Sequence, residues 1–217
     1  GLDVATGRGN AIKFLTRVLA DLREKVPGIQ FSSMLGGSKR NAIPREAEAV
    51  VYVPQDKIDD VISRMSGYQE LFLNEIKSVE PDLSVKATEV SGSGKVADDA
   101  QFAAILDVLQ GLPTGVIKMS ADIEGLVETS TMLATVTMDG DKLTVGTSQR
   151  SSVESEKADI VDTVGAVMRL GGFEVVQGDG YPGWQPNMDS KALKFVNQSY
   201  KELFGDEPEI KAIHAGL

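Results

Sequence analysis

Two places in the chain carry side chains of the kind that handle a small ligand. The stretch GGSKRNAIPREA, Gly36 to Ala47, packs two glycines, three cations, an Asn and a Pro between two apolar runs. Such a loop either turns the chain or holds a ligand, and its composition fits both. The second place is Arg150. Leu143, Val145 and Thr147 share one face of an alternating run, while Thr144, Gly146, Ser148 and Arg150 share the other. An Arg beside small hydroxyls on a helix-free face can grip a carboxylate bidentately. It can equally pair with a neighbouring acid such as Glu154.

Other chemical signals dissolve on inspection. Gly92-Ser93-Gly94-Lys95 hints at a phosphate loop, but that pattern needs Gly where Glu89 stands and a hydroxyl where Val96 stands, so it reads as a flexible joint. Gly7-Arg8-Gly9 lacks the third Gly and the preceding strand of a dinucleotide turn and reads as a helix entry. With one His and no Cys, the usual nitrogen and sulfur zinc ligands cannot come from this chain alone. Asp59-Asp60 and Asp98-Asp99 read as helix N-terminal and solvent-face charges, and Asp139 and Asp141 as a hairpin tip. His214 could act as ligand or base, but a lone His in an apolar strand reads as a hydrogen-bonded core residue.

The elements that must position these residues are legible from periodicity. Ile12, Leu15, Leu19, Leu22 and Val26 predict a helix stopped by Pro27-Gly28. IQFSSML (29–35) and AEAVVYV (47–53) predict strands on either side of the loop, and Pro54 ends the second. A helix over 56–76, weakened at Ser66-Gly67, and a strand at 83–87 follow. After the polar joint SGSGKVADD the order repeats: a helix through Phe102 and Leu109, strands near 115–123 and 129–138, and a hairpin turning at Asp139-Gly140. A helix carrying Ile160, Val164 and Met168 and a strand FEVVQ complete the second unit. The expectation is an α+β fold of two tandem split βαβ (ferredoxin-like) units, with antiparallel sheets and helices on one face. From Tyr181 the pattern changes to a helix and a final strand, EIKAIHAGL.

The 217 residues, 41% hydrophobic, suffice for one sizeable core or two small ones. A net charge of −10 argues against nucleic-acid and anionic-membrane partners, which need a cationic surface. The absence of Cys is compatible with a reducing cytoplasm, and no stretch resembles a signal peptide or an 18-residue apolar span. The chain opens on Gly1 and stops inside an apolar run, and it reads like a piece of something longer.

The segments GRGNAIKFL, GGSKRNAIPREA, GLVETSTMLATV, TSQRSSVES, GYPGWQPN and AIHAGL, in this order, resemble the aminoacyl-histidine dipeptidases (Xaa-His dipeptidase, peptidase D). These belong to the two-metal exopeptidases that include carnosinases and aminoacylases. The resemblance implies a lid domain over 1–180, in two repeats of about 1–91 and 92–180, and a fragment of the catalytic domain over 181–217. It implies two zinc ions in the intact enzyme, with the metal ligands and the Glu general base before Gly1 or beyond Leu217. The fragment alone would then bind no metal and be inactive. By the same resemblance Asn41 and Arg150 would bind substrate, Arg150 pairing with the C-terminal carboxylate of a dipeptide. Lys39, Arg40 and Arg45 would stay solvated, and His214 structural. Implied partners are a dipeptide, the rest of the catalytic domain and a second copy through the lid. The architecture by itself also fits a non-enzymatic amino-acid-sensing or dimerisation module.

Overall fold

The structure, a computed structural model, describes residues 2–92, 94–184, 187, 189–208 and 210. Asn10 opens the first helix, α1 (Ala11–Lys25): its Oδ1 accepts from the backbone N–H groups of Ile12 and Lys13 at 3.1 and 3.2 Å. These are two of the donors that a helix start leaves without an internal partner. Ile12, Leu19 and Leu22 recur at helical spacing and are buried. β1 (Gln30–Gly36) and β2 (Ala47–Tyr52) then pair antiparallel around the glycine-bearing loop. α2 (Ile58–Ile76) runs unbroken through Gly67, whose missing side chain would face open space.

In the second half, Asp98 and Gln101 close a reciprocal capping box on α3 (Asp99–Gly111). β3 (Gly115–Met119), β4 (Val127–Asp139) and β5 (Lys142–Ser151) follow. Gly140, at φ +61°, makes the tight turn between β4 and β5. α4 (Glu154–Leu170) and α5 (Lys191–Phe204) complete the described elements. The α+β class with an antiparallel sheet is as the sequence predicts.

Among the described residues the strands form one sheet, in the order β2-β1-β4-β3, with β5 also on β4. β4 is the spine. β5 pairs with it from Thr129 to Asp139 and so occupies one edge. The other edge is shared: β3 takes residues 127–131, and β1 meets it at one position, Gly36 opposite Val136. Leu133 falls in the gap between them. Its N–H donates to Thr114 Oγ1 at 3.2 Å, and its carbonyl accepts from Asn10 Nδ2 at 2.8 Å. Two side chains thus complete the ladder where no strand reaches, because buried backbone groups left unpaired are costly.

α1, α3 and α4 lie against the sheet, and α2 against α1. One apolar core joins the halves, with Phe31 of β1 stacked on Phe102 of α3 at 5.3 Å between ring centres. Two expected strands differ. Leu83, Val85 and Ala87, and likewise Phe173 and Val175, turn inward at alternate residues and pack on the core, yet they join no ladder among the described residues. Alternation reports which side is buried and does not supply a partner strand. The expected strand from Glu209 to Leu217, with His214, lies outside the described residues except for Ile210.

Candidate functional site

The Gly36–Ala47 loop is shaped by contacts that only glycines permit. A Cβ on Gly36 would fall 2.6 Å from Ile12 Cγ1. Gly37 has φ +67°, and a Cβ there would fall 2.0 Å from the carbonyl oxygen of Ala134. The chain therefore leaves β1 pressed against both α1 and the middle of β4. Its return is pinned twice: the Gly37 N–H donates to the Glu46 carbonyl at 3.2 Å, and the Ala11 N–H donates to the Pro44 carbonyl at 3.0 Å. The second bond uses another orphan donor of α1, so the helix start and the loop fix each other.

Arg45 adds a third anchor. Its guanidinium forks onto the buried Glu80 just beyond α2, with Nη2 donating to Oε2 at 2.5 Å and Nη1 to Oε1. Arg8 approaches the same carboxylate at 3.6 Å. The hydrogen bonds from Arg45 hold the Glu80 carboxyl below the usual carboxylate range, and Glu80 in turn raises Arg45. The expectation that Arg45 is merely solvated is therefore incomplete: half of it is exposed, while its fork is engaged.

β5 supplies the opposite wall. Ser130 of β4 lies opposite Arg150 of β5 in the ladder, and next to them Thr129 and Ser151 share a hydroxyl hydrogen bond of 2.8 Å. Leu143 and Val145 pack toward the core, while Ser148 and Arg150 line the cavities on the other side. Glu154 accepts from Lys157 at 2.8 Å and from the Gly183 N–H. Lys157 also donates to the Tyr181 carbonyl at 2.8 Å, and a Cβ on Gly183 would meet the Ser151 carbonyl oxygen at 2.5 Å. The Pro-Gly bend is thereby drawn over the end of β5.

These walls enclose two adjoining cavities. A cleft of about 670 Å³ lies between the Lys39–Asn41 loop, the end of β5, the start of α4 and the bend that carries Trp184. A smaller one of about 360 Å³ is lined by Asn41, Ser130, Met132, Ser148 and four arginines, namely Arg8, Arg40, Arg45 and Arg150. Asn41 and Arg150, remote in sequence, line both cavities. Such volumes lie within the range of ligand pockets, about 300–1,000 Å³.

Several of the other charges singled out by sequence have structural partners. Lys95 pairs with Asp141 at 3.1 Å across the hairpin tip, Asp99 with Arg23 at 2.7 Å and Asp60 with Arg64 at 3.0 Å. Sequence reasoning missed Asn10, Glu80 and Lys13. Lys13 Nζ donates to the carbonyls of Leu109, Gln110 and Leu112 at 2.7, 2.8 and 2.5 Å, satisfying the end of α3 from another helix. Burial pulls its ammonium down to about 8. The only available signal was Asn10 directly before a helical period; nothing local points to the other two.

Residues 5–79 match the family described as a peptidase dimerisation domain. Over all 217 residues the chain is 34% identical to the cytosol non-specific dipeptidase of Escherichia coli (strain K12), of which it covers 44%. The crystal structure of aminoacylhistidine dipeptidase from Vibrio alginolyticus superposes on the whole chain with a TM-score of 0.92, at 34% identity and over 44% of that protein. The chain thus spans less than half the length of the relatives it matches. The resemblance carried by the six segments is borne out along the whole sequence.

Proposed function

We infer that this chain, which from end to end resembles part of the aminoacyl-histidine dipeptidases, is the lid of a zinc-dependent dipeptidase acting on Xaa-His and related dipeptides. Residues 1–180 form the lid, as two repeats of about 1–91 and 92–180, and 181–217 belong to the catalytic domain. The observation that carries this reading is the meeting of Asn41 and Arg150 at one pair of cavities. Arg150 grips the dipeptide's carboxylate through its planar fork, and Asn41 orients the backbone with two donors and an acceptor. Closing these groups over the peptide positions it and excludes water.

The described residues contain no group of three or more His, Cys, Asp and Glu able to hold a metal. This donor set does not fit zinc, and the two zinc ions and the general base are assigned to the remainder of the enzyme. The piece by itself is inactive on this reading. The exposed apolar side of α5, with Phe195, Val196, Leu203 and Phe204, fits a helix that packs on the rest of the catalytic domain. The family match of the first repeat supports a homodimer through the lid. The cytosolic relative, together with the lack of any helix long and apolar enough to cross a membrane among the described residues, supports a cytoplasmic enzyme.

The test is hydrolysis of Xaa-His dipeptides by the full-length protein, with and without a chelator, beside the 217-residue piece. Chelator-sensitive cleavage by the whole and none by the piece is expected. A folded, metal-loaded whole that cleaves no dipeptide would return the chain to the class of non-enzymatic ligand-sensing modules.

A further inference from the structure

Phe31, Phe72 and Phe102 are buried in the core, whereas Trp184, the one Trp of the sequence, is 50% exposed on the wall of the larger cleft. An indole left half open forgoes much of the stabilisation that its burial would bring. A slack bend is not the cause. The segment before Trp184 is seated at three points: Lys157 donates to the Tyr181 carbonyl at 2.8 Å, the Gly183 N–H donates to Glu154, and Gly183 lies so close to the Ser151 carbonyl that a Cβ would not fit. The exposed apolar side of α5 lies on an outer helix, but Trp184 lines a concavity whose other walls this chain already supplies. Leu126 and Val127, both buried, give that cleft an apolar bed, and Ser148 and Ser152 add hydroxyls to it. A rigid ring presented on a fixed backbone, over an apolar bed with a few polar groups, is how pockets anchor a ligand.

Resting on the dipeptidase reading, we propose that Trp184 is a stacking platform that selects a planar ring in the side chain of the substrate's C-terminal residue. In that reading the terminal carboxylate is held from Arg150 and Asn41, which line the same cleft as Trp184. The side chain on the adjoining carbon then falls within the cleft. Offset stacking on the indole rewards a flat ring, phenyl or imidazole, over a saturated ring of the same size. The hydroxyls of the lining suit the polar edge of an imidazole. Because the bend is already seated, little ordering is left to be done when the ring arrives.

The experiment compares Ala-Phe with Ala-cyclohexylalanine on the metal-loaded full-length protein. The two share a carbon skeleton and a carboxylate, so the ratio of kcat/KM isolates the planarity of the ring. A preference for Ala-Phe of about three- to tenfold is expected, mostly kept in Trp184→Phe and lost in Trp184→Leu. Where Trp184→Leu does not fold, Gly183→Ala takes its place: it forces the bend off Ser151 and should lower the same ratio. A ratio at or below one, a ratio unmoved by the substitution, an equal fall in Trp184→Phe, or an enzyme that cleaves Ala-His and neither of these peptides overturns the platform and leaves the dipeptidase reading standing. Cleavage of no dipeptide overturns the dipeptidase reading instead. The platform is then judged by calorimetry with phenylalanine against cyclohexylalanine: tighter binding of phenylalanine that is lost in Trp184→Leu upholds it, and equal binding overturns it.

Discussion

Replacing Asn10 by Ala removes two separable interactions. The first is the cap: Oδ1 loses the Ile12 and Lys13 N–H groups, and an N-cap of this type is worth about 1 kcal/mol. The second is the bond from Nδ2 to the Leu133 carbonyl at 2.8 Å, formed where Asn10 is 8% exposed. A buried carbonyl left without a donor costs about 1–3 kcal/mol. The expected loss is therefore about 2–4 kcal/mol. Asn10→Ser separates the contributions, since a hydroxyl caps a helix but is too short to span to β4. It should lose only the second, about 1–3 kcal/mol. Urea unfolding of the full chain followed by circular dichroism reads both values. A loss under about 0.5 kcal/mol for both variants, within the range of ordinary surface substitutions, would refute the claim that Asn10 closes the gap in the sheet.

Gly37→Ala should cost about 3 kcal/mol, since φ +67° and an Ala134 oxygen 2.0 Å from the new Cβ leave no room without moving the loop; thermal unfolding checks it. On the proposed dipeptidase function, Arg150→Ala in the full-length protein should raise KM for dipeptides about 10- to 100-fold with metal content unchanged, measured by steady-state kinetics and metal analysis; unaltered kinetics remove Arg150 from the site. Lys13 titrates at about 8 when folded and near 10.5 when unfolded, so between those values the unfolded chain binds more protons. Stability should rise with pH across that window, and Lys13→Met should abolish the rise while leaving the end of α3 less stable.

Much of this was legible because it rests on local pattern. The helical stripe of Ile12, Leu19 and Leu22, the Asp139-Gly140 turn and the two-residue alternation that sends Val145 inward and Arg150 outward all follow from periodicity. The merging of two units into one sheet was not legible, because it depends on a single register pair, Gly36 with Val136, and on side chains that fill the gap beside it. Glu80 escaped for the same reason: its partner Arg45 lies 35 residues away, and neither flanking pattern marks it. The glycines of the loop were visible as a turn, but the close approach to Ala134 that demands one of them is a tertiary fact. Asn41 could be singled out only through resemblance; its exposed, polar surroundings have no periodic signature.

The shared spine strand has a consequence for how the chain can vary. Phe31 and Phe102 stack across the two halves, Asn10 of the first and Thr114 of the second meet on Leu133, and Lys13 of the first closes a helix of the second. Neither half therefore encloses a complete interior, and neither can be excised, swapped for a homologous copy or allowed to drift while the other stays fixed. Substitutions at this boundary should be accepted in compensating pairs, one from each half, whereas the exposed linker around Gly92 can be lengthened or nicked and still leave the halves clasped.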